Sequence, residues 1–111
     1  MADYVPQQGD VITLTFDPQS GHEQRGRRPA IVVSKNLFNK HTGLCIVCPV
    51  TNTHRNHPFH VAVPADELVS GYVMVEQVKS VDFRSRKAKR LGKAPSAVLE
   101  EVLSILDACM Y

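Results

Sequence analysis

Leu44-Cys45-Ile46-Val47-Cys48-Pro49-Val50 is an unbroken apolar run between Gly43 and the polar stretch that begins at Thr51. Its length and its Ile and Val content read as a buried strand. The same letters spell C-x-x-C, which in other settings marks a redox or zinc site. On a strand, however, residues three apart point to opposite faces. Cys45 and Cys48 can therefore neither pair nor share a metal while the strand holds, and they read as small core hydrophobes. With Cys109 the chain has 3 cysteines. An odd count argues against a disulfide framework.

Working outward, Val11 to Asp17 alternates, with Ile12, Leu14 and Phe16 on one face and Thr13 and Thr15 on the other. That is the period of a half-buried strand. Asp17-Pro18-Gln19-Ser20-Gly21 is a turn signal, and Gly21 to Arg28 reads as an exposed loop. Ala30-Ile31-Val32-Val33 is a short β-branched run, read as a central strand. Asn36 to Thr42 is assigned a helical turn before Gly43. After a polar loop over Thr51 to Pro58, Phe59 to Val63 reads as a strand. Gly71 to Glu76 and Val78 to Phe83 are two further β-like runs, or one bent strand.

The end of the chain changes period. From Ser96 onward Val98, Leu99, Val102, Leu103, Ile105, Leu106, Cys109 and Met110 recur at three and four. Glu100, Glu101, Ser104 and Asp107 take the other side, as on an amphipathic helix. Pro95 suits the first turn of that helix. Several short strands followed by one helix predict a small curled sheet or barrel capped by the helix.

The chain has 111 residues, which predicts a single domain over 1–111. Hydrophobic residues make up 43% and charged residues 22%, values that exclude disorder as the main state. No apolar run approaches a membrane span, and MADYVPQQGD lacks a secretory signal, so the expected location is cytoplasmic. Between Lys79 and Lys93 stand Lys79, Arg84, Arg86, Lys87, Lys89, Arg90 and Lys93 against Asp82 alone, a local net of +6. Such a basic pole is the footprint of a polyanion partner, although a solvated surface loop carries the same charges.

The densest polar segment is Gly21-His22-Glu23-Gln24-Arg25-Gly26-Arg27-Arg28-Pro29. Guanidinium forks match phosphate oxygens in a way that lysine does not. Arg28 differs from Arg25 and Arg27 because it abuts Pro29 and a strand, so rigid structure can hold it. Thr51 ends the strand 44–50. His54, His57 and His60 form an H-x-x-H-x-x-H series, but Pro58 and the polar loop argue against the helix that a metal site would need. No nucleophile elbow, phosphate-cradling loop, HExxH or Rossmann fingerprint is present.

Taken together, Tyr4-Val5-Pro6, Gly9-Asp10-Val11, Phe16-Asp17-Pro18, Gly21-His22-Glu23-Gln24, Gly26, Arg28-Pro29-Ala30 and Ile31-Val32-Val33-Ser34 resemble the opening of the MazF/PemK toxins. The likeness continues through Phe38-Asn39, Thr42-Gly43, Pro49-Val50-Thr51, Pro58-Phe59 and Glu76-Gln77-Val78-Lys79-Ser80. G-x-E-Q-x-G-x-R-P is its specific part, and the MazF branch is the nearer one.

The resemblance implies a mainly β, SH3-like small barrel of CcdB/PemK type with a C-terminal α-helix. It implies a metal-independent, cofactor-free endoribonuclease that cuts single-stranded RNA at a short sequence and leaves 2′,3′-cyclic phosphate and 5′-hydroxyl ends. The partners it implies are single-stranded RNA, a MazE-like antitoxin with an acidic flexible tail, and a second copy in a homodimer. The family's catalytic arginine falls on Arg28, its threonine on Thr51 and its acid on Glu23. The PemK branch stresses a histidine, here His22, and an Arg–Asp pair whose positions hold Met74 and Glu76. Gln24, Arg25, Arg27, Gln77, Lys79, Arg84, Arg86 and Lys87 are the expected RNA contacts, with Phe59 or Tyr72 able to stack on a base. The alternative from another class is a non-enzymatic poison of DNA gyrase on the same fold, as CcdB is, because a fold does not dictate a function.

Overall fold

The computed structural model describes residues 4–15, 27–53, 57–64 and 69–111. The elements are β1 (Asp10–Leu14), β2 (Arg28–Val32), α1 (Asn36–Thr42), β3 (Leu44–Thr51), β4 (His60–Val63), β5 (Gly71–Met74), β6 (Lys79–Asp82), β7 (Lys89–Lys93) and α2 (Ser96–Met110). A single 3-10 turn over Val75–Gln77 separates β5 from β6. The chain is thus mainly β with a C-terminal helix, as the change of period predicts.

The sheet runs in the order β4-β5-β3-β2-β1-β7, and β6 also pairs with β3. Every pairing is antiparallel. The long strand β3 organises it. Its first half, Leu44 to Val47, pairs with β6, and its end, Val50 and Thr51, pairs with β5. Gly71–Glu76 and Val78–Phe83 are therefore two strands, not one bent strand. Each needs its own stretch of β3, and the 3-10 turn moves the chain from one to the other.

Both faces of the sheet are covered. On one, Val11, Ile31, Cys48, Val50, Val61, Val73, Val98 and Val102 are buried together, with Leu99, Leu103, Ile105 and Leu106 packed against them. On the other, Ile12, Leu14, Ala30, Val32, Cys45, Val47, Val81 and Phe83 form a second core beside Tyr4 and Val5. Alternation decides which residue goes where. Cys45 and Val47 serve one core, and Cys48 and Val50 the other, as a period of two requires. Burial pushes both thiols up to about 12, the Glu76 charge adding to the rise at Cys48. They are protonated and inert at neutral pH, not redox-active.

Helix α2 buries Val98 and Val102, but Cys109 and Met110 are exposed, unlike the rest of the predicted stripe. Nothing among the described residues covers its last turn. Helix α1 closes on Gly43 at φ +75°, the left-handed conformation that glycine adopts without a Cβ penalty. Strand β7 escapes the sequence pattern altogether. Lys89-Arg90-Leu91-Gly92-Lys93 has no alternating apolar face, because it is an edge strand whose residues are mostly exposed.

One buried carboxylate ties β1 to β7. Asp10 accepts hydrogen bonds from the Tyr4 hydroxyl at 2.5 Å, the Gln7 N–H at 3.0 Å and Arg90 Nε at 3.2 Å. Lys93 Nζ lies 3.4 Å away. Burial alone would raise the Asp10 pKa. The Tyr4, Gln7 and Arg90 hydrogen bonds and the Lys93 charge overcome it and hold the carboxyl below its ordinary value.

Candidate functional site

Arg28 is the first residue of β2 and Thr51 the last of β3. The two strands pair with Ala30 opposite Pro49. Carried two residues further, that register sets Arg28 and Thr51 side by side on one face, at the open end of the ladder. They line one cleft of about 580 Å³ together with Thr53, His57, His60, Met74, Glu76 and Gln77. Two residues 23 positions apart in sequence are thus brought together by strand pairing alone.

Thr51 is held from two sides. Its Oγ1 accepts the Thr53 N–H at 3.2 Å. Its backbone pairs with Tyr72, next to Gly71, whose φ is +122°. A Cβ on Gly71 would lie 2.1 Å from the Thr51 carbonyl oxygen, so only glycine permits this approach.

The opposite wall is a hydrogen-bonded stack. His60 Nε2 lies 3.0 Å from Glu76 Oε2, and the His60 side chain is 3% exposed. The His57 ring stacks on the His60 ring, with centroids 4.5 Å apart and planes 20° apart. His57 is held by its own turn: its Nδ1 accepts the Phe59 N–H at 3.1 Å, and its carbonyl accepts the His60 N–H at 3.1 Å. Burial raises the Glu76 pKa, but the His60 hydrogen bond, a bond to its own backbone and the His60 and His57 charges together bring it below the usual carboxylate value. Glu76 is therefore ionised at neutral pH.

One donor atom each from His57, His60 and Glu76 falls within 4.8 Å of the others. A metal ion needs to lie in the plane of each imidazole it binds. Stacked, near-parallel rings do not offer that convergence, and His60 Nε2 is already committed to Glu76. The arrangement is a pair of stacked rings, one of them hydrogen-bonded to a carboxylate. Sequence spacing assigns no role to His57 or His60 and leaves Glu76 outside the candidate catalytic set. The signal that could have joined them is the β4–β5 register, which sets His60 opposite Met74 and so within reach of Glu76.

The expected RNA contacts divide. Gln77 lines the cleft. Phe59 is exposed, 5.8 Å from His57 and tilted to it, and Tyr72 is half-buried beside Thr51. Lys79, Arg84 and Lys87 are exposed but lie outside the cleft lining. Arg84 sits over the Phe83 ring, 5.4 Å from its centroid. The guanidiniums of Arg27 and Arg86 are hydrogen-bonded to backbone carbonyls. Arg27 Nη2 donates to the Thr13 carbonyl at 2.7 Å and also to the Lys87 carbonyl, and Arg86 Nη1 donates to the Thr15 carbonyl at 3.1 Å. Both tie the turn between β6 and β7 to the end of β1. His22, Glu23, Gln24, Arg25 and His54 lie outside the described residues.

Residues 7–110 match the family model described as PemK-like, MazF-like toxin of type II toxin–antitoxin system. The endoribonuclease toxin MazF of Escherichia coli K12 is 39% identical over 105 residues, covering 95% of this chain and 90% of that protein. The endoribonuclease toxin ChpB of the same strain is 43% identical over 107 residues, covering 92% and 91%. A crystal structure of MazE-MazF from Deinococcus radiodurans aligns with a TM-score of 0.88 at 47% identity, over 97% of each chain.

Proposed function

Because the chain belongs to the PemK-like, MazF-like toxin family of type II toxin–antitoxin systems, we propose that it is a sequence-specific, metal-independent endoribonuclease of single-stranded RNA. As the toxin of its pair it inhibits translation by cutting mRNA. The products carry a 2′,3′-cyclic phosphate and a free 5′-hydroxyl. One observation carries the reading: Arg28, Thr51 and the ionised Glu76 line one open cleft.

In this cleavage the RNA's own 2′-oxygen attacks the adjacent phosphorus. The O2′–P bond forms, the P–O5′ bond breaks, and negative charge grows on the non-bridging oxygens between. Arg28 is a fixed cation for that charge, and the Thr51 hydroxyl donates a hydrogen bond to it. Glu76 accepts the 2′-hydroxyl proton, a role its ionised state allows. The departing 5′-oxygen takes a proton from water in the open cleft. Glu23 and His22, which the resemblance favours as base, are the competing assignment, and Glu23→Gln against Glu76→Gln separates the two. Met74 stands where the PemK branch has arginine and can neither donate a proton nor bind phosphate.

The same reading assigns the partners: a MazE-like antitoxin whose acidic, flexible tail suits the basic stretch Lys79 to Lys93, and a second copy in a homodimer. It places the protein in the cytoplasm as one domain over residues 1–111. No helix among the described residues is long and apolar enough to cross a membrane. The gyrase-poison alternative is not favoured, since the sequence relatives are named endoribonucleases.

The test is cleavage of a long, defined single-stranded RNA in EDTA, with fragment ends mapped and chemically typed. Cuts at one short recurring sequence with cyclic phosphate ends are the expected result. Intact RNA from folded, antitoxin-free protein would overturn the reading.

A further inference from the structure

Two features of the cleft wall need a reason beyond packing. His60 is an almost fully buried imidazole whose Nδ1 has no hydrogen-bond partner among the described residues. Its other nitrogen is spent on a carboxylate that is partly open to the cleft, with 28% of the Glu76 side chain exposed. A buried polar group left half-satisfied costs stability, so a purely structural role would be better filled by an apolar side chain. His57 then covers the His60 ring and is itself pinned by the Phe59 N–H. A chain of contacts runs from the backbone of a tight turn, through two stacked rings, to one carboxylate oxygen.

We propose that His60 is a positioning residue for RNA cleavage, a buried donor that aims the Glu76 carboxylate into the cleft, with His57 as the cap that keeps the donor in place. This rests on the endonuclease reading and deepens it. With Nδ1 lacking an acceptor among the described residues, the N–H that finds a partner is the one on Nε2, directed at Glu76 Oε2. That donor constrains one carboxylate oxygen. An ionised carboxylate has about four lone-pair sites, so beside this donor and the bond to its own backbone Glu76 keeps acceptor capacity for the 2′-hydroxyl proton. The charged or titratable groups around the carboxylate, among the described residues, are His57 and His60 from the turn and β4, Cys48 from β3 and Arg28 from β2. The work divides accordingly: Arg28 and Thr51 bind the phosphate, while the His60–Glu76 pair handles the proton.

The test combines cleavage kinetics over pH 4–9 with an NMR titration of the Glu76 carboxyl carbon, in the full chain. His60→Leu removes the donor. The expected loss in kcat is roughly 10–100-fold at pH 6, with the acidic limb of the profile and the Glu76 titration both moving to higher pH. His60→Gln keeps an amide N–H that reaches the same oxygen, and it restores both the rate and the limb. If His60→Leu does not fold, His60→Asn, whose shorter amide falls short of Glu76, takes its place. An unchanged profile and titration in the donor-less variant, beside an active wild type, would overturn the proposal. So would a His60→Gln variant as impaired as His60→Leu, which would reduce His60 to a packing role. Wild-type protein that titrates as expected but leaves RNA intact would instead overturn the endonuclease reading and, with it, any catalytic use of the pair.

Discussion

Gly71 and Thr51 approach so closely that a Cβ on Gly71 would lie 2.1 Å from the Thr51 carbonyl oxygen. The backbone that carries the cleft hydroxyl is thus seated on a residue with no side chain, at a φ of +122° that other residues avoid.

Gly71→Ala forces the β3 end away from β5. The expected outcome is a stability loss of about 2 kcal/mol or more, together with a fall in kcat from displacement of Thr51. Chemical denaturation gives the first and single-turnover cleavage the second. An alanine variant with wild-type kcat would show that the exact seat of Thr51 is irrelevant to cleavage.

Arg28→Ala is expected to lower kcat by about 10²–10³-fold, the scale on which a charge-stabilising donor contributes. Arg28→Lys should recover little, because an ammonium lacks the guanidinium fork. Circular dichroism should show both variants folded. Full activity in Arg28→Ala would remove Arg28 from the reacting centre, and full activity in Arg28→Lys would show that the charge suffices without the fork.

Replacing exposed Lys79, Arg84 or Lys87 by alanine should weaken RNA binding and reduce its salt slope by about 0.7 for each phosphate no longer neutralised. Arg27→Ala and Arg86→Ala should act differently, because their guanidiniums bind the Thr13 and Thr15 carbonyls. Their cost should appear as lower thermal stability with little change in the slope. Filter-binding titrations across salt, run beside melting curves, distinguish the two classes.

Asp10→Asn should destabilise the fold by about 1–2 kcal/mol at pH 7, since it removes the charge from the hydrogen bonds to Asp10 while the half-exposed Arg90 and Lys93 remain solvated. The folded pKa of Asp10 lies below its unfolded value. Its contribution is therefore fully present above the unfolded value, near pH 3.9, and is lost as pH falls through the folded one. Urea midpoints measured from pH 7 downward should converge for wild type and Asp10→Asn only in strong acid. Parallel curves would mean that the charge contributes nothing.

A thiol reagent added to native protein should label Cys109 rapidly and leave Cys45 and Cys48 unmodified until unfolding. Burial raises the latter pair to about 12 while Cys109 is exposed. Mass spectrometry of the labelled chain reads this directly, and early modification of Cys48 would contradict the buried-strand account.

Local pattern carried much of the fold. The alternation in Val11 to Leu14 and in Leu44 to Val50 separates the two cores, and the three-and-four spacing after Ser96 specifies the helix. Strand β7 is invisible to such patterns because an edge strand needs partners for its backbone and not an apolar face. The RNA contacts are legible as charge, yet charge does not say what a guanidinium bonds. Arg27 and Arg86 look like any other arginine in sequence, and only the structure shows their guanidiniums donating to backbone carbonyls at Thr13 and Thr15.

The sequence by itself determined the strand-then-helix order, the inert cysteines and, through G-x-E-Q-x-G-x-R-P and Pro49-Val50-Thr51, the family and two cleft residues. Those features rest on periodicity and on motifs continuous in the chain. Tertiary structure alone decided that Arg28 meets Thr51, that His60 reaches Glu76, and that His57 covers the pair. Each of those contacts depends on which strand lies beside which and in what register. Strand register is set by long-range hydrogen bonding and shared core burial, which no local stretch of sequence encodes.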